Sequence, residues 1–190
     1  MTTFGAKRSR HFDATQSRQY EGIATRLNQG LYRRIAADVD DLTAIGATVL
    51  DAGTGPGLLL EHIARRRPDL GLHGIDLSPH MIELAENRML AHPVELAVGD
   101  VTALPYPDNS FDIVLSSLSL HEWTDVPEAL DELQRVLRPG GRLAVYDFRF
   151  VRTGHALAVL RISSDDAHRE NIRLPGHPIG LFVRLVNWAA

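Results

Sequence analysis

Three aspartates close three successive apolar runs in the first half of the chain: Asp51, Asp76 and Asp100. Between the first two lies a glycine turn, Gly53-Thr54-Gly55-Pro56-Gly57, which leads into the run LLLEHIARRR. Acids beside a glycine turn that joins an apolar strand to a helix are suited to hold a nucleotide cofactor, and their charges bear on which kind. A second candidate for chemistry is the stretch SSLSLHEWTD, with His121 four residues beyond Ser117.

The dinucleotide fingerprint G-x-G-x-x-G is met only in part. Gly53 and Gly55 match its first two glycines, the third position holds Leu58, and Gly57 comes one residue early. Taken alone, such a turn can serve only to pack strand against helix. Asp51 alters the weighing, since it falls two residues before Gly53. A carboxylate there repels a pyrophosphate and attracts an ammonium or a sulfonium. S-adenosylmethionine carries both cations. Asp51 can also cap its own turn, and the two roles are compatible. Asp76 stands 23 residues after Gly53, where an acid accepts hydrogen bonds from ribose hydroxyls. It can equally be the anion of a helix start, because Ser78-Pro79 follows it. Asp100, in VGDVTALPYPDNSFD, is placed to accept from an adenine amino group, or else is a loop aspartate.

His121-Glu122 lacks the second histidine of H-E-x-x-H, so it is no zinc signature, and no metal site is expected. A histidine in the turn after a parallel strand can take a proton from a hydroxyl or nitrogen near neutral pH. The alternative is that it only hydrogen-bonds its loop. Trp123 is either an aromatic wall beside a sulfonium or a core residue that anchors the turn.

These residues need elements to hold them. Residues 15 to 45 have helical periodicity, with Tyr20, Ile23 and Leu27 and then Leu31, Ile35 and Val39 at steps of three to four. Beyond Gly46, strands alternate with helices. The predicted strands are Thr48–Asp51, Leu72–Asp76, Val94–Val98, Phe111–Ser116 and Arg142–Phe148. One helix follows the glycine turn, with Leu59, Leu60, Ile63 and Ala64 on its apolar face and Arg65 to Arg67 at its end. A second starts at Ser78-Pro79, an N-cap followed by proline. A third starts at Asp125, with Glu128 three residues on, and is predicted to stop at Arg138-Pro139-Gly140-Gly141. This alternation predicts an α/β fold, a Rossmann-like doubly wound, mostly parallel sheet flanked by helices, with ligands at the switch point beside the first strand. In the tail, residues 153 to 167 suggest a short helix, and Asn171–Leu174 and Leu181–Trp188 suggest strands that give an antiparallel edge hairpin.

Composition narrows the classes further. The chain of 190 residues fits one domain. A net charge of -4 gives no general attraction to nucleic acid or to anionic lipid. The triplet Arg65-Arg66-Arg67 reads better as a solvated helix end than as a nucleic-acid patch. With no cysteine, disulfides, thiolate catalysis and cysteine-zinc sites are excluded. The first twenty residues lack the apolar run of a signal peptide, and no stretch reaches the ~20 apolar residues of a membrane span. A cytoplasmic protein without membrane or nucleic-acid partners is expected.

VLDAGTGPG, GIDLSPHMIELA, GDVTALPYPDNSFDIVLSSLSLHEW and LQRVLRPGGRLAVYDF, in this order and spacing, resemble the class I S-adenosylmethionine-dependent methyltransferases. The branch they resemble is the small-molecule one that includes the ubiquinone/menaquinone methyltransferases. The resemblance covers residues 47 to 150 and implies a single domain over residues 1–190. That domain would have a helical cap at 1–45, a cofactor core at 46–150 and a short C-terminal segment at 151–190. It implies that Asp51, Gly53, Thr54, Gly55 and Gly57 hold the methionine end of the cofactor, and that Asp76 binds the ribose. Leu77 would pack on the adenine, Asp100 would take its amino group beside the Val101 amide, and Ser117 would close the methionine side. Tyr20, from the cap, would reach the cofactor. Two features depart from the family. Pro56 stands where some relatives carry threonine or serine. The tail also lacks the long helix that often shapes the acceptor site, which implies an open pocket, a homodimer that completes it, or lost catalysis.

Methyl transfer is an in-line displacement that asks a protein mainly to align the acceptor, exclude water and, where needed, remove a proton. Three readings stay open at this point: a methyltransferase with a small-molecule acceptor, a non-catalytic relative that binds the same cofactor, and an NAD-type oxidoreductase on the same sheet.

Overall fold

The computed structural model describes residues 28–148, 168–174 and 181–188. Helix α1 (Gln29–Leu42) precedes strand β1 (Thr48–Ala52), helix α2 (Leu58–Arg66), β2 (Gly71–Asp76), α3 (Pro79–Met89) and β3 (Val94–Val98). There follow β4 (Phe111–Ser117), a 3-10 turn at Leu120–Glu122, α4 (Val126–Arg135), β5 (Leu137–Phe148), β6 (His168–Arg173) and β7 (Leu181–Trp188). The strands form one sheet of order β3-β2-β1-β4-β5-β7-β6. Its first five strands run parallel. β7 lies antiparallel between β5 and β6 and gives the expected antiparallel edge.

The chain steps outward from β1 through β2 to β3, then returns to the middle for β4. The reversal leaves a crevice beyond the carboxyl ends of β1 and β4, which is where an open α/β sheet binds ligands. Two apolar layers bury the sheet. Leu31, Ile35 and Val39 of α1 and Leu59, Leu60 and Ile63 of α2 pack with Val49, Ile113 and Leu115 on one face. Leu130 and Leu133 of α4 pack with Leu50, Val114, Leu143 and Val145 on the other. The alternation of Val49 against Leu50 and of Ile113 against Val114 is the period-two pattern of strands covered on both sides.

Local chemistry sets the element ends. Ser78 accepts from the Met81 amide and caps α3, and Asp125 accepts from the Glu128 amide and caps α4. The Thr43 hydroxyl donates to the Val39 carbonyl where α1 stops. Across the layers, the Tyr146 hydroxyl donates to Asp38, and Arg34 pairs with the same carboxylate, so α1 is tied to β5.

Among the boundaries that differ from expectation, two matter for the fold. α4 ends at Arg135, before Arg138-Pro139-Gly140-Gly141. Those four residues form an irregular start to β5 instead. The register runs from Phe111↔Leu137 to Ile113↔Arg142, and Gly140 has φ +75°, which its lack of a Cβ permits. β6 begins at His168, three residues before the predicted Asn171. Tyr20, the first part of the 15 to 45 helix and the proposed helix at 153 to 167 lie outside the described residues.

Candidate functional site

At the carboxyl end of β1 the chain makes the glycine turn. Gly53 has φ +76°, and a Cβ added there would lie 2.5 Å from the Ser119 hydroxyl oxygen. Ser119 donates to the Ala52 carbonyl (3.2 Å) and meets Ser116 Oγ at 2.7 Å, so it bridges β1 and β4 across the reversal. Gly57, with φ +74°, precedes α2, and a Cβ on it would come within 3.1 Å of Ala85 in α3. The early glycine is thus explained by a close helix approach. Arg88 of α3 donates to the Pro56 carbonyl (2.8 Å) and pairs with Glu61, which holds the turn from outside.

The amides of this turn are already committed. Gly53 and Thr54 N–H both donate to the Ile75 carbonyl, each at 2.9 Å, and Gly57 N–H donates to the Thr54 carbonyl at 3.1 Å. Gly55 N–H donates to Asp76 Oδ2 at 2.8 Å. A pyrophosphate cradle needs such amides aimed at the ligand.

Asp51 is 0% exposed and lies behind the cleft wall. Thr54, which lines the cleft, donates its hydroxyl to Asp51 Oδ2 at 2.9 Å. The other oxygen, Oδ1, is buried without a hydrogen-bond partner. Burial pushes this carboxyl up to about 7; the Thr54 hydroxyl opposes the shift and nearby Asp76 adds to it. A buried acid with one unclaimed oxygen has the donor deficit that a cationic group would fill.

Asp76 closes β2 and lines the cleft. Its Oδ1 accepts from Ser78 N–H at 2.9 Å and its Oδ2 from Gly55 N–H. Burial raises its pKa, and these two amides partly offset the rise. Each oxygen keeps a further lone pair. Leu77, Val101 and exposed Asp100 line the same cleft. Asp100 Oδ1 accepts from the backbone and hydroxyl of Thr102, both at 2.9 Å, so the loop after β3 is folded around it.

Beyond β4 the chain turns sharply. Leu118 takes φ +56°, a left-handed conformation that an ordinary residue adopts at a cost of about 1–2 kcal/mol. Its N–H still bonds the Tyr146 carbonyl (2.8 Å), and Leu118 and Leu120 are both buried. This anchoring sets Ser117, Ser119, His121 and Trp123 around the cleft. Trp123 also packs partly buried against the core layer of α4, so it serves both as wall and as anchor. His121 Nδ1 lies 2.9 Å from Asp147 Oδ1 and 3.1 Å from Oδ2, and its backbone N–H donates to Asp147 Oδ2 at 3.1 Å. The hydrogen bond with Asp147 pulls the imidazole pKa up, burial pulls the other way, and Glu122 adds to the rise.

The cleft lies between the glycine turn, the ends of β2 and β3 and the turn after β4, and it opens to solvent. It brings together Gly53, Thr54, Gly55, Asp76, Leu77, Asp100, Val101, Ser117 and His121, while Asp51 stands one side chain behind and Gly57 at the packed helix start. Tyr32, Ser119 and Asp147 were not singled out from sequence. Asp147 follows an apolar run, as the other three aspartates do, and that shared pattern was the available signal. Among the described residues, no group of three or more His, Asp or Glu side chains is placed to hold a metal.

A family model described as "Methyltransferase domain" matches residues 50–145. The chain is 39% identical over 123 residues to the ubiquinone/menaquinone biosynthesis C-methyltransferase UbiE of Hahella chejuensis, which covers 62% of this chain and 49% of that protein. It is 36% identical over 141 residues to the malonyl-[acyl-carrier protein] O-methyltransferase of Halorhodospira halophila, which covers 73% of this chain and 47% of that protein. The chain therefore spans about half the length of these curated relatives. A SAM-dependent methyltransferase structure from Aquifex aeolicus superposes with a TM-score of 0.73 over 94% of this chain and 100% of the other, at 19% identity, and so shares the fold.

Proposed function

Because the chain belongs to the methyltransferase-domain family, we propose that it transfers the methyl group of S-adenosylmethionine to a small-molecule acceptor by in-line displacement. The observation that carries this reading is the charge and hydrogen bonding of the glycine turn. Four of its amides are spent within the protein, and a buried carboxyl behind it has one oxygen unclaimed. A pyrophosphate meets few donors there, whereas an ammonium meets a counter-charge. This favours S-adenosylmethionine over a nicotinamide dinucleotide.

Bound, the cofactor supplies a methyl carbon already activated by sulfonium, so no nucleophile of the chain is required. The chain's residues hold and align. The turn from Gly53 to Gly57, with Asp51 behind Thr54, serves the methionine end, Asp76 the ribose, and Leu77, Asp100 and Val101 the adenine. Ser117 closes the methionine side. His121, at the cleft, is the candidate base. One curated relative is named for ubiquinone/menaquinone biosynthesis and the other for malonyl-[acyl-carrier protein], which supports an organic acceptor group that is not nucleic acid.

We further take residues 1–190 as one domain, capped by residues 1–45, in the cytoplasm, with no nucleic-acid or membrane partner and with a homodimer as its assembly. The net charge of -4 supports the first exclusion. For the second, no helix among the described residues is long and apolar enough to cross a membrane. Calorimetric titration of the purified chain with S-adenosylmethionine and with NAD tests the central reading. Micromolar binding of the first alone is expected, and binding of NAD alone would overturn it. Transfer of a labelled methyl group into a metabolite extract separates the enzyme from a non-catalytic binder.

A further inference from the structure

We propose that Asp147 positions His121 as the base of this cleft, and that the acceptor therefore presents an ionisable hydroxyl. The inference rests on the methyl-transfer reading above.

Asp147 is 0% exposed and lies near the carboxyl end of β5. Three N–H groups converge on its two oxygens: the Phe148 amide at 2.7 Å, the His121 amide at 3.1 Å and His121 Nδ1 at 2.9 Å. A carboxylate can only accept, so the proton of the neutral imidazole sits on Nδ1. That leaves Nε2 as the basic nitrogen. The nearest acid to it, Glu122 Oε1, is 3.6 Å away, too far for a hydrogen bond, so Nε2 is not consumed. The backbone and side-chain bonds to one carboxylate fix both the place and the rotation of the ring. Phe148 packs beside it, with ring centroids 5.5 Å apart.

This arrangement has a chemical use only if the acceptor must lose a proton. A thioether or a neutral amine attacks with a lone pair, and an N–H proton can be shed to water after the bond has formed, so neither needs a base in the bond-forming step. A phenol or hydroquinone hydroxyl, with a pKa near ~10, is a poor nucleophile until its proton is taken. In the reaction, the hydroxyl proton passes to His121 Nε2. The electron pair left on oxygen forms the new bond to the methyl carbon. The bond from that carbon to sulfur breaks with its electron pair going to sulfur, which leaves a neutral thioether. The imidazolium faces Asp147 on β5 and Glu122 on its own turn, and it returns the proton to solvent.

The test begins with the ligand-free, 15N-labelled chain. Long-range proton–nitrogen NMR should show neutral His121 protonated on Nδ1, with a pKa above the ordinary ~6.5. Asp147→Asn should lower that pKa and mix the tautomers. Turnover is then read with catechol, 1,4-naphthohydroquinone and dimethylaniline as acceptors. The two hydroxyl compounds should be methylated and the tertiary amine should not. In Asp147→Asn, kcat should fall by roughly 10²-fold at an unchanged KM for S-adenosylmethionine. Because the base must be unprotonated, the acid limb of its pH–rate profile should also move to lower pH. A wild-type imidazole protonated on Nε2 would overturn the positioning role, and so would an Asp147→Asn enzyme with unchanged kcat and pH limb. Should Asp147→Asn not fold, the wild-type tautomer decides that role by itself. Preference for dimethylaniline, or binding of S-adenosylmethionine with no turnover of either hydroxyl compound, would overturn the acceptor class. Absence of S-adenosylmethionine binding would instead count against the methyltransferase reading and leave the NMR result standing.

Discussion

Asp51→Asn should stabilise the ligand-free protein and weaken its hold on the cofactor. The carboxyl is fully buried, and burial moves it from an ordinary 3.8 up to about 7. Each tenfold change in proton affinity is worth about 1.4 kcal/mol, so ionised Asp51 costs the folded state at most about 4 kcal/mol. The folded state holds the proton more tightly than the unfolded chain. Stability is therefore fully present below about pH 4, falls as pH rises to about 7, and is flat above. Asparagine keeps the acceptor for Thr54 but brings an NH₂ with no partner, a cost of about 1–3 kcal/mol. The net gain at about pH 8 is about 2 kcal/mol, which is roughly 4–8 °C in Tm for a chain of this length. Differential scanning fluorimetry across pH measures it. The gain should shrink toward about pH 5, where the wild-type carboxyl is protonated. Saturating S-adenosylmethionine should raise the wild-type Tm more than that of the variant, since only the wild type offers the ammonium a carboxylate. A variant less stable than wild type at about pH 8, or a difference that ignores pH, would refute the account of Asp51 as an uncompensated acid that awaits a cation.

Asp76→Ala should remove two ribose hydrogen bonds, at ~1–1.5 kcal/mol each, and so weaken S-adenosylmethionine binding roughly 30- to 140-fold in calorimetry; unchanged affinity would sink the ribose assignment. Gly53→Ala should lower stability by about 1–3 kcal/mol in urea unfolding and weaken cofactor binding too, because its Cβ meets Ser119 at 2.5 Å in a left-handed backbone. A gel shift with RNA should show no salt-sensitive micromolar binding, in keeping with the acidic balance of the chain.

Much of this was legible because strand and helix patterns obey local rules. The run from Val49 to Asp51, the caps Ser78 and Asp125, and the strand Leu181–Trp188 each follow from period, punctuation or side-chain hydrogen bonding. The start of β5 was not legible. Pro139-Gly140 reads as a helix stop in isolation, yet here the glycine supplies the positive φ of an irregular strand entry. Asp76, Asp100 and His121 reach one cleft as their places at strand ends suggested. That Asp51 stands behind Thr54 depends on how the turn folds back onto Ile75, which spacing along the chain does not encode. The partner of His121 was hidden for the same reason. Asp147 is 26 residues away and meets it only because β4 and β5 are neighbours in the sheet.

The strand order divides labour between two wings. Side chains proposed to grip the cofactor hang mainly from β1, β2 and β3. Those proposed to face the acceptor hang from the turn after β4 and are braced by β5. The seam between the wings is the β1–β4 strand pair, capped at its carboxyl end by the bond from Ser119 to the Ala52 carbonyl. Selection can therefore redraft one wing while the other keeps its task, which gives the scaffold a route to new acceptors that does not pass through loss of the methyl donor. A mutational library meant to change the proposed acceptor belongs on Glu122, Trp123 and Thr124, with Gly53, Ser119 and His121 held fixed.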